Sequence, residues 1–337
     1  LAVDGHFHGE DAWYHIRKKS KPALSELFGA HEHEVVAMNN LSVNLHLLMV
    51  SFYRPTKSRN KIIIEAGAFP SDQYMLESQV KFHGLNPAEV IVELKPREGE
   101  HTLRTEDILA EIKKQGDSLS LVNMAGLQYY TGQLFDMKAI SQAAHSVGAF
   151  AGFDLAHAAG NIPLKLHDWE VDFATWCSYK YLNSGPGNVS GIYVHEKYAE
   201  SPDLPRFAGW WGHDEGQRFL MEKGFIPMHG ADGWQLANSN VLALAAGYLE
   251  FLIKKISGES GVLEIITPEN QLERGCQLSL HIHRGGKAVF DEWYKHGVVG
   301  DWRNPNVIRL APTPLYNSFE DVFRFAQILE QSIEKFA

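Results

Sequence analysis

Asp154 and Lys180 stand 26 residues apart (180 − 154), each where an apolar, strand-like run stops. Asp154 closes Ala151-Gly152-Phe153-Asp154, and Lys180 follows Trp176-Cys177-Ser178-Tyr179. A bare ammonium among aromatic side chains is costly, and a carboxylate ending a buried strand needs a partner. One cofactor answers both needs. The aldehyde of pyridoxal 5′-phosphate takes a lysine amine as a Schiff base. A carboxylate facing its ring nitrogen keeps that nitrogen protonated, so the ring can accept electrons.

Each of these residues also has a plainer reading. A lone lysine beside a loop is usually solvated. Asp154 reads equally as the cap of the turn that follows it, His157 as a hydrogen-bonded structural histidine, and Tyr179 as core packing. With the cofactor in view, Asp154 makes a charge-assisted bond to the pyridinium, His157 stacks on or bonds near the ring, and the Tyr179 phenol contacts phosphate or moves protons. The set carries more weight than its members.

The surrounding pattern positions them. Lys61–Glu65, Glu89–Leu94, Leu119–Met124, Gly148–Asp154, Val171–Ser178 and Val189–His195 read as strands. Helical runs alternate with them: one capped by Ser71-Asp72-Gln73-Tyr74 and running to about His83, then Thr105–Gln115 and Met137–Val147. That alternation implies an α/β fold with a mostly parallel sheet, whose ligand sits at the carboxyl ends of the strands. Beyond about Gly247 the texture changes. Gln277–Ile282 and Val307–Leu310 read as strands, Ala288–His296 and Phe319–Phe336 as helices, which together make a smaller α+β domain. The division expected is an N-terminal segment 1–35 contributing to the substrate site, a large cofactor-binding domain 36–246 and a small domain 247–337.

Composition narrows the class. A chain of 337 residues with a formal net charge of −10 disfavours nucleic acid, whose binding needs clustered basic residues. No apolar run is long enough to span a bilayer, and no signal peptide opens the chain. Two cysteines, Cys177 and Cys276, argue against a disulfide framework and fit a reducing compartment, so a cytoplasmic protein without membrane partners is expected. Because the sequence opens on Leu1 rather than Met, a preceding stretch outside it is also expected.

The wording around these residues resembles the kynureninase family. The strings are Phe153-Asp154-Leu155-Ala156-His157-Ala158, Leu166-His167-Asp168-Trp169 and Trp176-Cys177-Ser178-Tyr179-Lys180-Tyr181-Leu182-Asn183, together with Ala68-Phe69-Pro70-Ser71-Asp72, Lys95-Pro96-Arg97-Glu98-Gly99, Tyr130-Thr131-Gly132-Gln133 and Ala311-Pro312-Thr313-Pro314-Leu315-Tyr316. The resemblance covers essentially the whole chain. It implies a fold-type I, aminotransferase-like homodimer with a seven-stranded-type sheet and shared active sites. The implied reaction is hydrolysis of kynurenine or 3-hydroxykynurenine to anthranilate or 3-hydroxyanthranilate plus alanine.

The resemblance also implies roles. Leu41 and Ser42 would cradle the phosphate at a helix N-terminus, although Ser42 reads equally as a plain N-cap. Phe69 would stack on the ring, and Asp72 would lie near its hydroxyl. Trp210 and Asn238 would reach the cofactor or substrate from a neighbouring subunit. Arg309 would grip the substrate carboxylate, which suits a guanidinium fork, and His6 would lie over the substrate's aromatic ring. Lys180 would move the α-proton with help from Tyr179. At Ala125 the chain departs from the family, which is expected to place a serine or another polar cofactor contact there.

Other readings were weighed beside this one. A cysteine desulfurase needs an exposed, activated cysteine, whereas Cys177 lies in an apolar strand and Cys276 opens another. A non-catalytic cofactor-binding module is disfavoured by the joint presence of Lys180, Asp154 and Arg309. Seventeen histidines invite a metal reading, with Gly5-His6-Phe7-His8 and His31-Glu32-His33 as candidate pairs. No partner at a suitable spacing completes either, so no metal site is expected and both pairs read as solvated turns.

Overall fold

The computed structural model describes residues 13–184, 188–201, 204–238, 253, 261–266, 278–310 and 319–336. The chain divides into two compact units. The larger comprises 20–177 and 189–239; the smaller comprises 1–19, 178–188 and 240–337. These limits differ from the sequence reading: the first falls inside helix α1 (Ile16–Phe28) rather than near residue 35, and the segment carrying Lys180 groups with the smaller unit.

The larger unit is built on seven strands: β1 (Val35–Ala37), β2 (Lys61–Glu65), β3 (Ile91–Leu94), β4 (Leu119–Ala125), β5 (Phe150–Asp154), β6 (Phe173–Trp176) and β7 (Gly191–Val194). Their order is β1-β7-β6-β5-β4-β2-β3. The run β3-β2-β4-β5-β6 is parallel throughout, and β7 is antiparallel to both of its neighbours. Helices α2 (Leu41–Phe52), α3 (Pro70–Phe82), α4 (Pro87–Val90), α5 (Thr105–Gln115) and α6 (Met137–Ser146) punctuate the strands. The mostly parallel α/β reading therefore holds.

Three local readings need correction. Glu89 and Val90 belong to a helical turn, not to the strand: the Asn86 side chain accepts the Ala88 N–H and Pro87 pre-sets the first turn. Ser71 does not cap α3; that helix begins at Pro70 with Phe69 as N-cap and no side-chain cap bond. Gly148 precedes β5 as a left-handed turn residue (φ 75°), so the strand starts at Phe150.

The strand order contains a reversal. From β2 the chain steps outward to β3, then returns past β2 to lay down β4, β5 and β6 in the other direction. Such a switch point opens a crevice at the carboxyl ends of the two strands that flank it, here β2 and β4. The core beneath is dense and partly aromatic: Phe52 stacks on Phe173 at 4.7 Å, and Leu45, Leu48, Ile62, Leu121 and Phe173 are fully buried. Phe173 lies across Gly152 in the β5–β6 register.

The smaller unit holds an antiparallel sheet ordered β10-β11-β9-β8, from β8 (Leu263–Ile265), β9 (Leu278–Ile282), β10 (Asp301–Arg303) and β11 (Val307–Leu310). Helices α7 (Gly286–Lys295) and α8 (Phe319–Phe336) accompany it. Val322, Phe325, Leu329 and Ile333 recur at helical spacing and are buried, and Trp293 meets Phe325 edge-on at 5.0 Å. Among the described residues no helix is long and apolar enough to cross a membrane.

A methyl group at position 152 would lie 2.0 Å from the Phe173 ring. Gly152→Ala should therefore cost about 1–3 kcal/mol through overpacking. Urea unfolding followed by tryptophan fluorescence reads this; an unchanged midpoint would mean that the β5–β6 aromatic packing is not a constraint.

Candidate active site

The carboxyl ends of β2, β4 and β5 bring together most of the residues that the sequence singled out in the larger unit. Asp154 ends β5 and is 5% exposed. Its Oδ1 accepts the Ala156 N–H at 2.7 Å, so it does cap the following turn, and this bond fixes the direction of the carboxylate. Across the β5–β6 ladder Asp154 pairs with Thr175, and Lys180 follows Thr175 by five positions in the chain. Lys180 and Tyr179 are described within the smaller unit's segment 178–188, where the Asn183 N–H bonds the Lys180 carbonyl at 3.1 Å.

The helix N-termini beside the switch point form a cradle. Ser42, in the first turn of α2, and Ser71, in the first turn of α3, place their hydroxyl oxygens 2.7 Å apart. The N-cap of α2 is Asn40, whose side chain accepts the Val43 N–H at 3.2 Å; Ser42 is thus not the cap, and its hydroxyl is turned toward α3. Leu41 opens α2. Two helix first turns whose hydroxyls meet suit an anionic group. Asp72, also in the first turn of α3, is buried.

Phe69 leaves 44% of its surface open. Its ring is held on edge by Tyr129 at 5.3 Å, and Tyr129 lies 6.4 Å from His157. Gln128 organises the loop that carries Tyr129: Nε2 donates to the Gly67 carbonyl at 3.1 Å, and Oε1 accepts the N–H groups of Tyr130 and Thr131 at 2.6 and 2.8 Å. An open aromatic face, a buried carboxylate and paired helix N-termini are what a flat, phosphorylated pyridine ring requires, so these residues fit the cofactor.

Two contributors were not read from the sequence. Gln128 lay beside a motif that was noticed without being given a role. Glu65, the last residue of β2, was read only as a strand end. It is 3% exposed and accepts the Ala125 N–H on both carboxylate oxygens, each at 3.3 Å, which ties β2 to β4 across the switch point. Burial pushes its carboxyl up to about 7, and the charge of Asp154 adds to the rise, while backbone N–H bonds oppose it. An acid ending KIIIE was the available signal. Ala125 thus contributes through its main chain.

The remaining candidates are distributed as follows. Trp210 is 43% exposed, donates from Nε1 to the Arg218 carbonyl at 3.1 Å and meets Phe219 edge-on at 5.4 Å. Asn238 is exposed in the larger unit. In the smaller unit Arg309 pairs with Asp301 across the β10–β11 ladder, and its Nε has no hydrogen-bond partner among the described residues. His6, Cys276, the join near Gly247 and the stretch 311–318 lie outside the described residues. Cys177 is buried, with Sγ directed to the Ala156 carbonyl at 3.9 Å, which does not suit an attacking thiol.

Comparison with known proteins decides the family. Residues 5–209 match the aminotransferase class-V model and residues 241–329 match the kynureninase C-terminal domain. A kynureninase of Flavobacterium psychrophilum is 56% identical over 99% of this chain and 84% of the relative. One of Myxococcus xanthus is 50% identical over 98% and 83%, and one of Nematostella vectensis 47% over 99% and 79%. The chain belongs to the kynureninase family. Solved structures agree on the fold: an apo cysteine desulfurase from Thermococcus onnurineus NA1 has a TM-score of 0.56 at 18% identity, covering 96% of this chain and 85% of that one. A C-DES mutant with glycine linked to its PLP cofactor gives 0.56 at 16%, covering 96% and 88%. Identity this low carries the fold-type I architecture alone.

Glu65 sets a pH dependence in the cofactor-free protein. Below about pH 4.5 the acid is protonated in both folded and unfolded chains. Between about 4.5 and 7 the unfolded chain releases its proton first, so stability falls as pH rises, by roughly 3 kcal/mol when complete. Glu65→Gln should flatten that slope. Urea unfolding at pH 5 and pH 8 checks it; equal slopes for variant and parent would remove Glu65 as the source.

Proposed function

We propose that this chain hydrolyses the side chain of L-kynurenine and 3-hydroxy-L-kynurenine, releasing anthranilate or 3-hydroxyanthranilate and L-alanine, with pyridoxal 5′-phosphate as cofactor. When bound, pyridoxal phosphate supplies an aldehyde for the substrate amine and a protonated ring that draws electrons from the α-carbon. The observation that carries this reading is the cradle at the switch point, where the Ser42–Ser71 hydroxyl pair, the open Phe69 ring and buried Asp154 gather at the carboxyl ends of neighbouring strands.

Each residue then has a defined task. Ser42, Ser71 and the first turns of α2 and α3 hold the phosphate. Phe69 stacks on the ring, while Asp72 and His157 lie around it. Asp154 keeps a proton at the ring nitrogen. Lys180 would hold the aldehyde through Nζ, and its freed amine would carry the α-proton. Tyr179 assists that transfer from its phenol. Arg309 exchanges Asp301 for the substrate carboxylate, which presents the same planar pair of oxygens. Water adds to the γ-carbonyl; the adduct loses a proton, the Cβ–Cγ electron pair passes to the β-carbon, which takes up a proton as the alanine methyl, and Cγ leaves as the anthranilate carboxylate.

An exposed aromatic residue supports association of two copies. Trp210 is a large aromatic left nearly half exposed, of the kind that anchors interfaces. In this reading two copies pair, and Trp210 and Asn238 of each reach toward the other's cofactor. His6 and Asn238 favour a ring hydroxyl, so the 3-hydroxylated substrate should show the higher kcat/KM. A clear preference for unsubstituted kynurenine would contradict that assignment.

Mixing the protein with the cofactor and L-kynurenine should give anthranilate fluorescence. Lys180→Ala should lower the rate by at least about 10³-fold, and near-normal turnover by that variant would sink the proposal. Ser42→Ala combined with Ser71→Ala should weaken cofactor affinity by roughly 10-fold, the equivalent of about 1.4 kcal/mol. Equilibrium dialysis of the cofactor reads this, and unchanged affinity would move the phosphate elsewhere.

A further inference from the structure

His31 and His33 do not form a solvated turn of their own. They face a cluster assembled from four chain segments of the larger unit. The His31 ring lies 4.2 Å from that of His167 and 5.5 Å from that of His33, and His33 lies 4.9 Å from His229. Glu196, just beyond β7, places Oε2 3.8 Å from His31 Nε2 and 3.4 Å from His33 Nε2. One ring nitrogen each from His31 and His167 and one Glu196 oxygen all lie within 4.8 Å of one another.

Beneath them sits Glu34, fully buried. Its Oε1 accepts from His167 Nδ1 at 3.0 Å and from the Glu196 N–H at 2.7 Å, and its Oε2 accepts from the His31 N–H at 2.8 Å. A buried carboxylate on Nδ1 fixes the ring of His167 and leaves Nε2 as the nitrogen that can bind outward. Carboxylate–histidine pairs of this kind orient the ligands of zinc sites.

We propose that His31, His167 and Glu196 form a binding site for a divalent transition ion of the zinc class, with Glu34 orienting His167 and His33 close enough to supply a fourth ligand. Two imidazoles and one carboxylate make a donor set that zinc accepts, with a remaining position for water or His33. The half-exposed side chains of His31 and Glu196 can close on an ion at 2.0–2.2 Å by rotamer change. The site would clasp the turn before β1, the loop at Leu166–Glu170 and the end of β7, segments more than 130 residues apart in sequence at the extremes. Its role is therefore to fasten the edge of the sheet, away from the switch point.

A separate group, Glu264, His281 and His283, has similar spacing in the smaller unit. Glu264 lies on β8, His281 on β9 and His283 just after it, and no buried carboxylate orients them among the described residues. It serves as the internal control.

The experiment strips the cofactor-loaded protein with chelator, then titrates it with Zn²⁺ and, for its ligand-field spectrum, Co²⁺. One ion should bind with four-coordinate Co²⁺ absorption, and saturating Zn²⁺ should raise the unfolding midpoint by roughly 3–5 °C. His31→Ala and Glu196→Gln should each weaken binding by about 10- to 100-fold. Their contacts to Glu34 run through backbone N–H groups that substitution leaves in place, so both variants should keep the fold. His281→Ala should bind as the parent does. No bound Zn²⁺ at about 100 μM, undiminished binding in the His31→Ala/Glu196→Gln double variant, or loss in His281→Ala would each overturn the proposal.

Discussion

Burying a carboxylate costs several kcal/mol unless donors replace the water it loses, and the larger unit buries carboxylates at every level of its sheet. They are not treated alike. Asp172 receives the Ala151 N–H at 2.7 Å, His145 Nε2 at 2.8 Å, the Tyr198 hydroxyl at 2.7 Å and Lys197 Nζ at 2.6 Å, and it is held below the usual carboxylate range although burial alone would raise it. Glu34 is satisfied in the same way. Glu65 accepts two backbone N–H groups, its own and that of Ala125, has a like charge nearby, and is the acid that burial pushes up to about 7. Fully paired acids fasten loops to the sheet, whereas the under-paired one ends β2 beside the switch point. The distinction between scaffold and site is thus written in donor counts.

Topology explains why the under-paired acid falls where it does. Inside the sheet, strand ends are covered by the next strand's ladder or by a helix. At the switch point the connections from β2 and β4 leave in opposite directions, and neither covers the gap between them. The β2–β4 register is set by Ile62↔Leu121 and Ile63↔Val122, and beyond it the Glu65 side chain takes over the pairing with Ala125. A side chain doing a ladder's work leaves the crevice open above it, with the first turns of α2 and α3 facing in.

Much of this was legible before any coordinates. KIIIE and VIRL are short β-branched runs bounded by polar residues, and Phe319–Phe336 repeats its apolar residues at helical spacing; pattern alone finds such elements. Thr105–Gln115 was bounded by acids at its start and lysines at its end, which the macrodipole favours. What failed was local chemistry competing with pattern. Glu89-Val90-Ile91 reads as β-prone, but Asn86-Pro87 starts a helical turn that wins for the first two of those residues. The three-residue strand β1 and the helix α1, with Pro22 inside it, were too short or too interrupted to register. Asp154 is legible in the sequence as the cap of the turn after its strand, and the structure shows that cap through Oδ1.

The histidines show where single-sequence reasoning reaches its limit. Within a dozen positions of His31-Glu32-His33 the chain offers Glu26 and Glu34 but no further histidine or cysteine. The partners of that motif are His167, on the loop after β5, and Glu196, after β7, brought in only because β7 runs antiparallel between β1 and β6. Helical or strand periodicity constrains residues a few positions apart, whereas a ligand set made by sheet closure depends on strand order, which composition does not encode. Glu34 adds a second layer. Preceded by His31-Glu32-His33 it reads as a surface charge, yet it is fully buried because the three-residue turn Glu32–Glu34 directs it inward beneath the Glu196 and His31 N–H groups. A residue that the sequence assigns to solvent thereby becomes the one that orients its exposed neighbours, and the direction of that inference runs only from fold to chemistry.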